Sequence, residues 1–292
     1  HTRCSRDWSS DVCSSDLNAR SAYRGIRLLL TGYFLKLVIG DNLSLLVKMN
    51  FDTPTKHDFF TSLLGTYAFS AEIYADFLGY TLIARGAALL FGIELSRNFS
   101  SPYLATSLTE FWRRWHISLS LWFRDYVYIP LGGNLSKGAR NLILTMALAG
   151  LWHGMDFTFL IWGLYHGLLL CILKPAERVF FHRLPRWASV FLTFHLVAIG
   201  WIFFRSKSLR HSIDIIEGFF HWNLNFGGYQ IGQISLFLWL VLPWIMYSIF
   251  FSFFRRSRDR NWFLFFESAA SGDRKSTRLN SSHGYISYAV FC

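Results

Sequence analysis

Long apolar runs constrain the fold of this 292-residue chain more than any other feature of its sequence. A helix needs about 20 predominantly apolar residues to cross the hydrocarbon core of a bilayer, and several runs reach that length. The runs are continuous and do not alternate, which favours helices, and in lipid only helices or closed barrels satisfy their backbone groups. The runs cover residues 28–47, 59–93, 142–173, 187–204 and 234–254. The sequence therefore predicts an all-α, polytopic integral membrane protein with about seven or eight spans in this fragment.

Composition and charge favour a membrane protein and argue against a nucleic-acid partner. Only 16% of the residues are charged, whereas soluble domains carry about 25%. The net charge is +11, but the basic residues cluster between apolar runs, as loops held on the cytoplasmic side do. No basic face stands free of a membrane span, so we expect contacts with membrane lipid and no binding of nucleic acid.

Both ends of the chain differ from the sequence between them. Residues 1–17 and 273–292 are polar, lack periodicity and resemble translated sequencing-adapter text. We expect both segments to be non-native, with the natural protein continuing beyond them, and we assign the transmembrane domain to residues 18–272. That domain contains one cysteine, Cys171, so an internal disulfide or a cysteine zinc cluster is not expected. No close-spaced ligand pair such as His-x-x-x-His is present, and no metal site is predicted.

Two of the apolar runs are too long for a single span. Residues 59–93 are expected to form two helices, with Gly79 and Gly86 at the short turn between them. Across such a turn, Asp76 and Arg85 could form an ion pair that holds the two helices together. The run at 142–173 is expected to divide into a short stretch that reaches His153 and a span over residues 157–173. Farther along, Pro243 is expected to kink the last run.

The segment between residues 111 and 129 has helical periodicity with two distinct faces. On a helical wheel Arg113, His116, Ser120 and Arg124 share one face, and the opposite face is apolar and aromatic. That opposite face consists of Trp115, Leu119, Trp122, Tyr126 and Ile129. We predict a basic amphipathic helix that lies in the membrane interface or re-enters the protein.

Two histidines are the candidate reactive groups, His116 beside the arginines and His153 inside an apolar stretch. Ionisable groups are costly in a bilayer and mark functional sites. A neutral imidazole can act as a general base toward a hydroxyl or thiol, and nearby arginines suit the phosphates of a donor such as a CoA thioester. The alternative is structural, with His116 at the interface among snorkelling arginines and His153 in a polar contact between helices.

The surroundings of His153 suggest further roles. Asp156 follows it by three residues and shares its helix face if the helix continues. Gly150 and Gly154 flank the histidine and permit close backbone approach or a break. Two other histidines, His166 and His195, are expected to pack or to hydrogen-bond between helices.

Long blocks of this sequence resemble the membrane-bound O-acyltransferase family, and shorter similarities extend over most of residues 50–206. The blocks are Phe111-Trp112-Arg113-Arg114-Trp115-His116-Ile117-Ser118-Leu119-Ser120, residues 124–134, and Gly150-Leu151-Trp152-His153-Gly154. The second block ends in Ile129-Pro130-Leu131-Gly132-Gly133-Asn134, which is most similar to the bacterial alginate O-acetyltransferase branch. One stretch departs from the family pattern, because Leu78 and Leu82 stand where polar residues are usual.

The resemblance implies a multi-helix membrane enzyme in the bacterial inner membrane. Such an enzyme takes an acyl group, usually acetyl from acetyl-CoA, on the cytoplasmic side and passes it toward an extracytoplasmic polysaccharide, often through a periplasmic acyltransferase partner. His153 matches the family's central catalytic histidine, and His116 matches the second. Acetyl-CoA would be a substrate, and no permanently bound cofactor is expected. The predicted substrate-binding residues are Arg113, Arg114, Ser120, Arg124, Trp152 and Asp156.

Two alternatives remain open at this stage. One is transfer of another acyl group, such as D-alanyl from a carrier protein to teichoic acid. We rank it second to acetyl transfer because of the block at residues 129–134. The other is a non-enzymatic transporter or export scaffold. Transporters commonly contain internal repeats, and none is visible in this sequence.

Overall fold

The computed structural model describes residues 19–52, 57–135, 137–177, 183–222, 235 and 237–239. Both segments that we expect to be non-native, and Pro243 with nearly all of the last apolar run, lie outside the described residues. The domain boundaries at 17 and 273 therefore stay predictions.

Helices account for all the regular secondary structure in the described part of the chain. The α-helices there are α1 (Ala19–Tyr33), α2 (Asp41–Phe51), α3 (Phe59–Leu90), α4 (Leu108–Arg114), α5 (Ile117–Phe123), α6 (Gly138–His153), α7 (Phe157–Glu177), α8 (Arg186–Arg205) and α9 (Leu209–Gly218). Two segments are π-helical. Phe34–Gly40 joins α1 to α2, and Arg124–Tyr128 follows α5. A 3-10 turn, Pro102–Leu104, precedes α4.

Four helical stretches in these ranges are long and apolar enough to cross a membrane. They are Ser21–Phe51, Phe59–Leu90, Phe157–Lys174 and Arg186–Arg205. The prediction of an all-α, multi-pass membrane protein is confirmed. The expected division of residues 142–173 is also confirmed, because α6 ends at His153 and α7 begins at Phe157.

The first two spans, α1–α2 and α3, pack backbone against backbone through glycines. A Cβ atom on Gly32 would lie 2.7 Å from the carbonyl oxygen of Gly79, and a Cβ on Gly86 would lie 2.7 Å from that of Gly25. Seven residues separate the two glycines on each helix, so the close contact recurs after two turns. Small residues let membrane helices approach this closely.

The prediction that residues 59–93 form two helices is wrong. Gly79 and Gly86 do not break α3, because each meets a glycine of α1 while the helix continues to Leu90. The predicted ion pair is wrong for the same reason, since nine residues in one helix separate Asp76 from Arg85 by about 14 Å. Asp76 instead forms an ion pair with Lys36, and the Arg85 Nε donates to the Leu95 carbonyl at 3.1 Å.

Helices α6 and α7 form an antiparallel hairpin that positions the end of α6. Gly150 faces the Phe159 carbonyl and Gly163 faces the Met146 carbonyl so closely that a Cβ at either glycine would overlap the opposite backbone. Helix α8 covers this hairpin, with Trp201 stacked on Trp162 at a ring-centroid distance of 5.9 Å. The core therefore brings the aromatic side chains of α7 and α8 against the end of α6.

Candidate active site

His116 lies at a sharp turn between α4 and α5. Its φ of 40° is left-handed, and Trp115 before it is extended. Asn98, from the loop before α4, stabilises the turn through two hydrogen bonds. Its carbonyl accepts from the Ile117 N–H at 3.0 Å, and its side-chain oxygen accepts from the Ser118 N–H at 3.2 Å. A left-handed conformation costs a non-glycine residue about 1–2 kcal/mol, so these bonds stabilise a strained residue at a candidate site.

The turn overturns the prediction of one continuous amphipathic helix over residues 111–129. The helix breaks at Trp115 and His116, so the wheel that placed Arg113 and His116 on one face does not apply. Trp115, expected on the aromatic face of that helix, is 4% exposed and packs in the core against Trp201. Helical periodicity could not reveal this break, because its cause is the loop at Asn98, which is distant in sequence.

His153 is the last residue of α6, and its ring is surrounded by aromatic rings. The centroids of Trp152, Trp162 and Phe204 lie 5.0, 5.4 and 5.1 Å from the imidazole. The helix does not continue past His153, because Gly154 is extended. Asp156 therefore does not share a helix face with His153; it is exposed, and its backbone carbonyl accepts from the Phe159 N–H at 3.1 Å.

Both histidines line one cavity of about 250 Å³ between the helices. Ser120 lines it too, and its hydroxyl donates to the Trp115 carbonyl at 3.3 Å. The ring of Trp152 neighbours both imidazoles, with its centroid 6.4 Å from that of His116 and 5.0 Å from that of His153. The other lining residues are Ile73, Phe77, Trp112, Trp115, Leu119, Phe123, Met146, Ala149, Trp162, Trp201 and Phe204. The structure therefore brings together His116, His153 and Ser120, which the sequence singled out, in the wall of an otherwise apolar cavity.

The three predicted arginines do not line this cavity. Arg113 is exposed on α4. Arg114 forms an ion pair with Glu110, and Arg124 forms one with Asp125 at 2.7 Å. Trp152, at 57% exposed, also lies outside the lining, although its ring neighbours both imidazoles.

The carboxylate of Glu110 anchors the start of α4. Burial alone would raise its pKa, but hydrogen bonds from Thr106 and the charge of Arg114 outweigh this effect and hold the pKa below its ordinary value. The Ser107 hydroxyl caps the same helix by accepting from the Glu110 N–H at 3.1 Å. Arg114 therefore stabilises the segment that leads into His116.

Several residues that sequence reasoning had not assigned to the site form much of the cavity wall, above all Trp112, Trp162, Trp201 and Phe204. Trp112 belongs to the motif of His116, whereas Trp201 and Phe204 lie 48 and 51 residues after His153, so local sequence did not link them with the site. The other two singled-out histidines do not line it: His195 hydrogen-bonds with Tyr67 of α3, as expected of a contact between helices, and His166 is fully buried. Within the described residues, no three His, Cys, Asp or Glu side chains gather as metal ligands would.

The model of the membrane-bound O-acyltransferase (MBOAT) family matches residues 6–204. The chain belongs to this family. The match begins inside the segment expected to be non-native, and the boundary of that segment stays a prediction. The matched region covers α1 to α7 and nearly all of α8, and it includes both histidines of the cavity.

Relatives of this MBOAT chain are named for three different acceptor polymers, which are peptidoglycan, alginate and teichoic acid. A peptidoglycan O-acetyltransferase of Helicobacter pylori is 39% identical over 208 residues, which are 69% of this chain and 40% of the relative. A protein named probable alginate O-acetylase, from Pseudomonas aeruginosa, is 41% identical over 221 residues, 72% of this chain and 40% of the relative. A teichoic acid D-alanyltransferase of Bacillus subtilis is 32% identical over 206 residues, 65% of this chain and 52% of the relative. The chain thus spans about two fifths to one half of the length of these relatives.

Proposed function

We propose that this MBOAT protein transfers an acyl group, acetyl in the first place, from a thioester donor to a hydroxyl acceptor inside the cavity. The observation that carries the proposal is the convergence of His116 and His153 on one largely apolar cavity. An apolar site strengthens electrostatic interactions once bound substrate displaces its water, and it then protects a thioester from hydrolysis. Both effects favour transfer to a chosen hydroxyl.

His153 is the general base of the proposed reaction. Its imidazole takes the proton of the acceptor hydroxyl while the hydroxyl oxygen attacks the thioester carbonyl, and it returns the proton to the departing thiolate. The aromatic rings around it limit the orientations of the imidazole. His116, across the same cavity, assists by orienting the donor or the acceptor.

The donor in this proposal is acetyl-CoA, a substrate and not a resident cofactor. Arg113 is exposed one residue from the cavity-lining Trp112 and suits a CoA phosphate, because guanidinium groups bind phosphates well. Arg114 and Arg124 act indirectly through their ion pairs by fixing the segments on either side of His116 and Ser120. Trp152 and Asp156 would contact substrate only at the entrance, since both are exposed.

The acceptor and the cellular setting complete the proposal. We propose an extracytoplasmic polysaccharide acceptor, a periplasmic acyltransferase as partner, and residence in the bacterial inner membrane. Two of the relatives are named for acetylation of peptidoglycan and of alginate, which supports a glycan acceptor. The identity of the glycan would follow from chemical analysis of the polymer that loses acetate in a deletion strain.

The test is the variant His153→Ala in the full-length protein, expressed in its own host. Acetate on the exported polymer should fall to background while the amount of protein in the membrane is unchanged. His195→Ala is the matched control, since His195 bonds Tyr67 away from the cavity. Unchanged acetylation in His153→Ala would exclude the assigned chemistry and favour a transporter or scaffold.

D-alanyl transfer is the second candidate, favoured by the 32% identity with the Bacillus subtilis protein. Purified protein supplied separately with radiolabelled acetyl-CoA and with a D-alanyl thioester on a carrier protein separates the two. Label transfer from acetyl-CoA alone supports the first candidate, and transfer from the carrier thioester alone replaces it.

A further inference from the structure

The imidazole of His116 lines the cavity without a hydrogen bond to any other residue in the described part of the chain. Its ring nitrogens are accessible, whereas both nitrogens of His166 are sealed in the core. A functional histidine is ordinarily oriented by a hydrogen bond from one ring nitrogen to a carbonyl or carboxylate. Because no described residue supplies such a bond to His116, the orientation of its imidazole depends on the side chains that pack against it.

His195 shows the ordinary arrangement in the same protein. Its Nδ1 lies 2.7 Å from the Phe191 carbonyl oxygen, and its Nε2 bonds the Tyr67 hydroxyl. Since a carbonyl oxygen only accepts, Nδ1 carries the proton and Nε2 accepts from Tyr67. Both nitrogens of His195 thus fix its ring, and His116 has neither kind of bond.

The ring of Phe77, in α3, packs closely against His116. The two ring centroids lie 4.7 Å apart at an interplanar angle of 81°, which is the edge-to-face arrangement that aromatic pairs prefer. The ring of Trp152 is farther from His116, at 6.4 Å and 61°. Phe77 is therefore the side chain best placed to restrict rotation of the His116 imidazole.

Phe77 is itself held from two directions. The ring of Phe99 lies 5.0 Å away at 78°, and Phe99 directly follows Asn98, which stabilises the turn at His116. On the opposite side, the preceding residue Asp76 forms an ion pair with Lys36 of the π-helical segment. One loop thus supports the backbone of His116 through Asn98 and its side chain through Phe99 and Phe77.

We propose that Phe77 is a positioning residue of the acyl transfer, which holds the His116 imidazole with a ring nitrogen toward the substrate. The inference rests on the proposed function, in which His116 orients the donor or the acceptor. Phe77 acts through His116 and takes part in no proton or acyl transfer. An aromatic pair of this kind favours one orientation by about two- to tenfold, and this factor limits the expected loss of rate.

The alternative is that Phe77 only fills space in the cavity wall. A smaller side chain would then change the fit of acetyl-CoA, and with it KM, or it would lower the stability of the fold. A specific loss of kcat would not follow. The two roles therefore differ in which kinetic constant moves and in whether an aromatic ring at this position is sufficient.

The experiment compares Phe77→Leu, Phe77→Tyr and His116→Ala in the purified full-length protein. Steady-state kcat and KM for acetyl-CoA are measured with unacetylated polymer from the deletion strain as acceptor, together with the midpoint of thermal unfolding. Phe77→Leu, which removes the ring, should lower kcat about three- to tenfold with KM changed less than about twofold. Phe77→Tyr, which keeps the ring, should stay within about twofold of the parent kcat.

Phe51→Leu is the matched control for a lost phenyl ring. Phe51 is 1% exposed and packs against Phe69 of the same helix α3 at 5.9 Å, and it does not line the cavity. This variant should lower the unfolding midpoint at least as much as Phe77→Leu does. Its kcat should remain within about twofold of the parent value.

Three results would overturn the inference. One is a parent-like kcat in Phe77→Leu, another is equal loss of kcat in Phe77→Leu and Phe77→Tyr, and the third is a larger loss in Phe77→Leu than in His116→Ala. Loss of transfer in His153→Ala alongside a fully active Phe77→Leu would refute this inference alone. Full transfer in His153→Ala would instead refute the proposed function.

Discussion

The imidazole of His153 stands almost perpendicular to the indole of Trp162, with ring centroids 5.4 Å apart. The two residues belong to consecutive helices, and the contact exists because α6 and α7 approach at Gly150 and Gly163. The position of the proposed base is thus determined by a helix–helix contact that begins one turn before it. The distance between these helices should control activity as well as stability.

The first prediction concerns that contact. Gly163→Ala places a Cβ atom against the Met146 carbonyl, so α6 and α7 must separate and His153 must move. Overpacking of this kind lowers the free energy of unfolding by about 1–3 kcal/mol. We also expect kcat to fall about tenfold or more, because small displacements of reacting groups are costly. Acetyl transfer and thermal unfolding of the purified variant test this, and a normal kcat would show that His153 does not depend on the hairpin.

The second prediction compares two glycines of the first span. Gly32→Ala puts a Cβ 2.7 Å from the Gly79 oxygen, whereas a Cβ at Gly40 has its nearest neighbour, an Asp76 side-chain oxygen, at 3.3 Å. Gly32→Ala should therefore destabilise the protein by about 1–3 kcal/mol, and Gly40→Ala by clearly less. Thermal unfolding in one detergent measures both, and equal losses would contradict the backbone packing of α1 on α3.

The third prediction concerns the strained turn at His116. Asn98→Ala removes the side-chain acceptor of the Ser118 N–H, and loss of such a bond costs about 0.5–1.5 kcal/mol. Since the turn aims His116, we expect kcat to fall several-fold with little change in protein level. Asn98→Asp keeps an oxygen acceptor and should recover most of the activity. Equal loss in both variants would assign Asn98 a role other than positioning this turn.

The fourth prediction is a dependence of stability on pH that arises at His57 and His211. Their rings lie 5.6 Å apart. Burial lowers the pKa of both below the ordinary value of 6.5, and the neighbouring charge of His211 lowers that of His57 further. The charged side chains that face the pair are Asp52, Asp58, Asp214, Arg205 and Lys207.

The sign follows from the lowered pKa values. Between pH 7 and pH 5 the unfolded chain takes up protons that the folded pair resists, so the free energy of unfolding falls as pH falls. The unfolding midpoint should thus be higher at pH 7.5 than at pH 5.5. In the double variant His57→Gln, His211→Gln this difference should shrink, and an undiminished difference would place the effect on other groups.

The histidine pair in one cavity shows what sequence could establish about the site. The apolar runs gave the membrane class, because lipid admits few structures for a continuous apolar chain. The motifs around His116 and His153 carried the family resemblance, and both residues do line one cavity. Each of these inferences depends on local sequence alone.

Other features required the tertiary structure, because each depends on a partner distant in the chain. Gly79 and Gly86 are compatible with a turn until Gly32 and Gly25 are seen against them, and then they permit close packing of an unbroken helix.

The break at His116 likewise depends on Asn98, and the cavity forms only where residues of α4, α6, α7 and α8 meet. Sequence determined which segments are apolar enough to cross a membrane and which residue types could react. Only the tertiary packing decided which polar atoms face one another, because those atoms belong to different helices and loops that are distant in the chain.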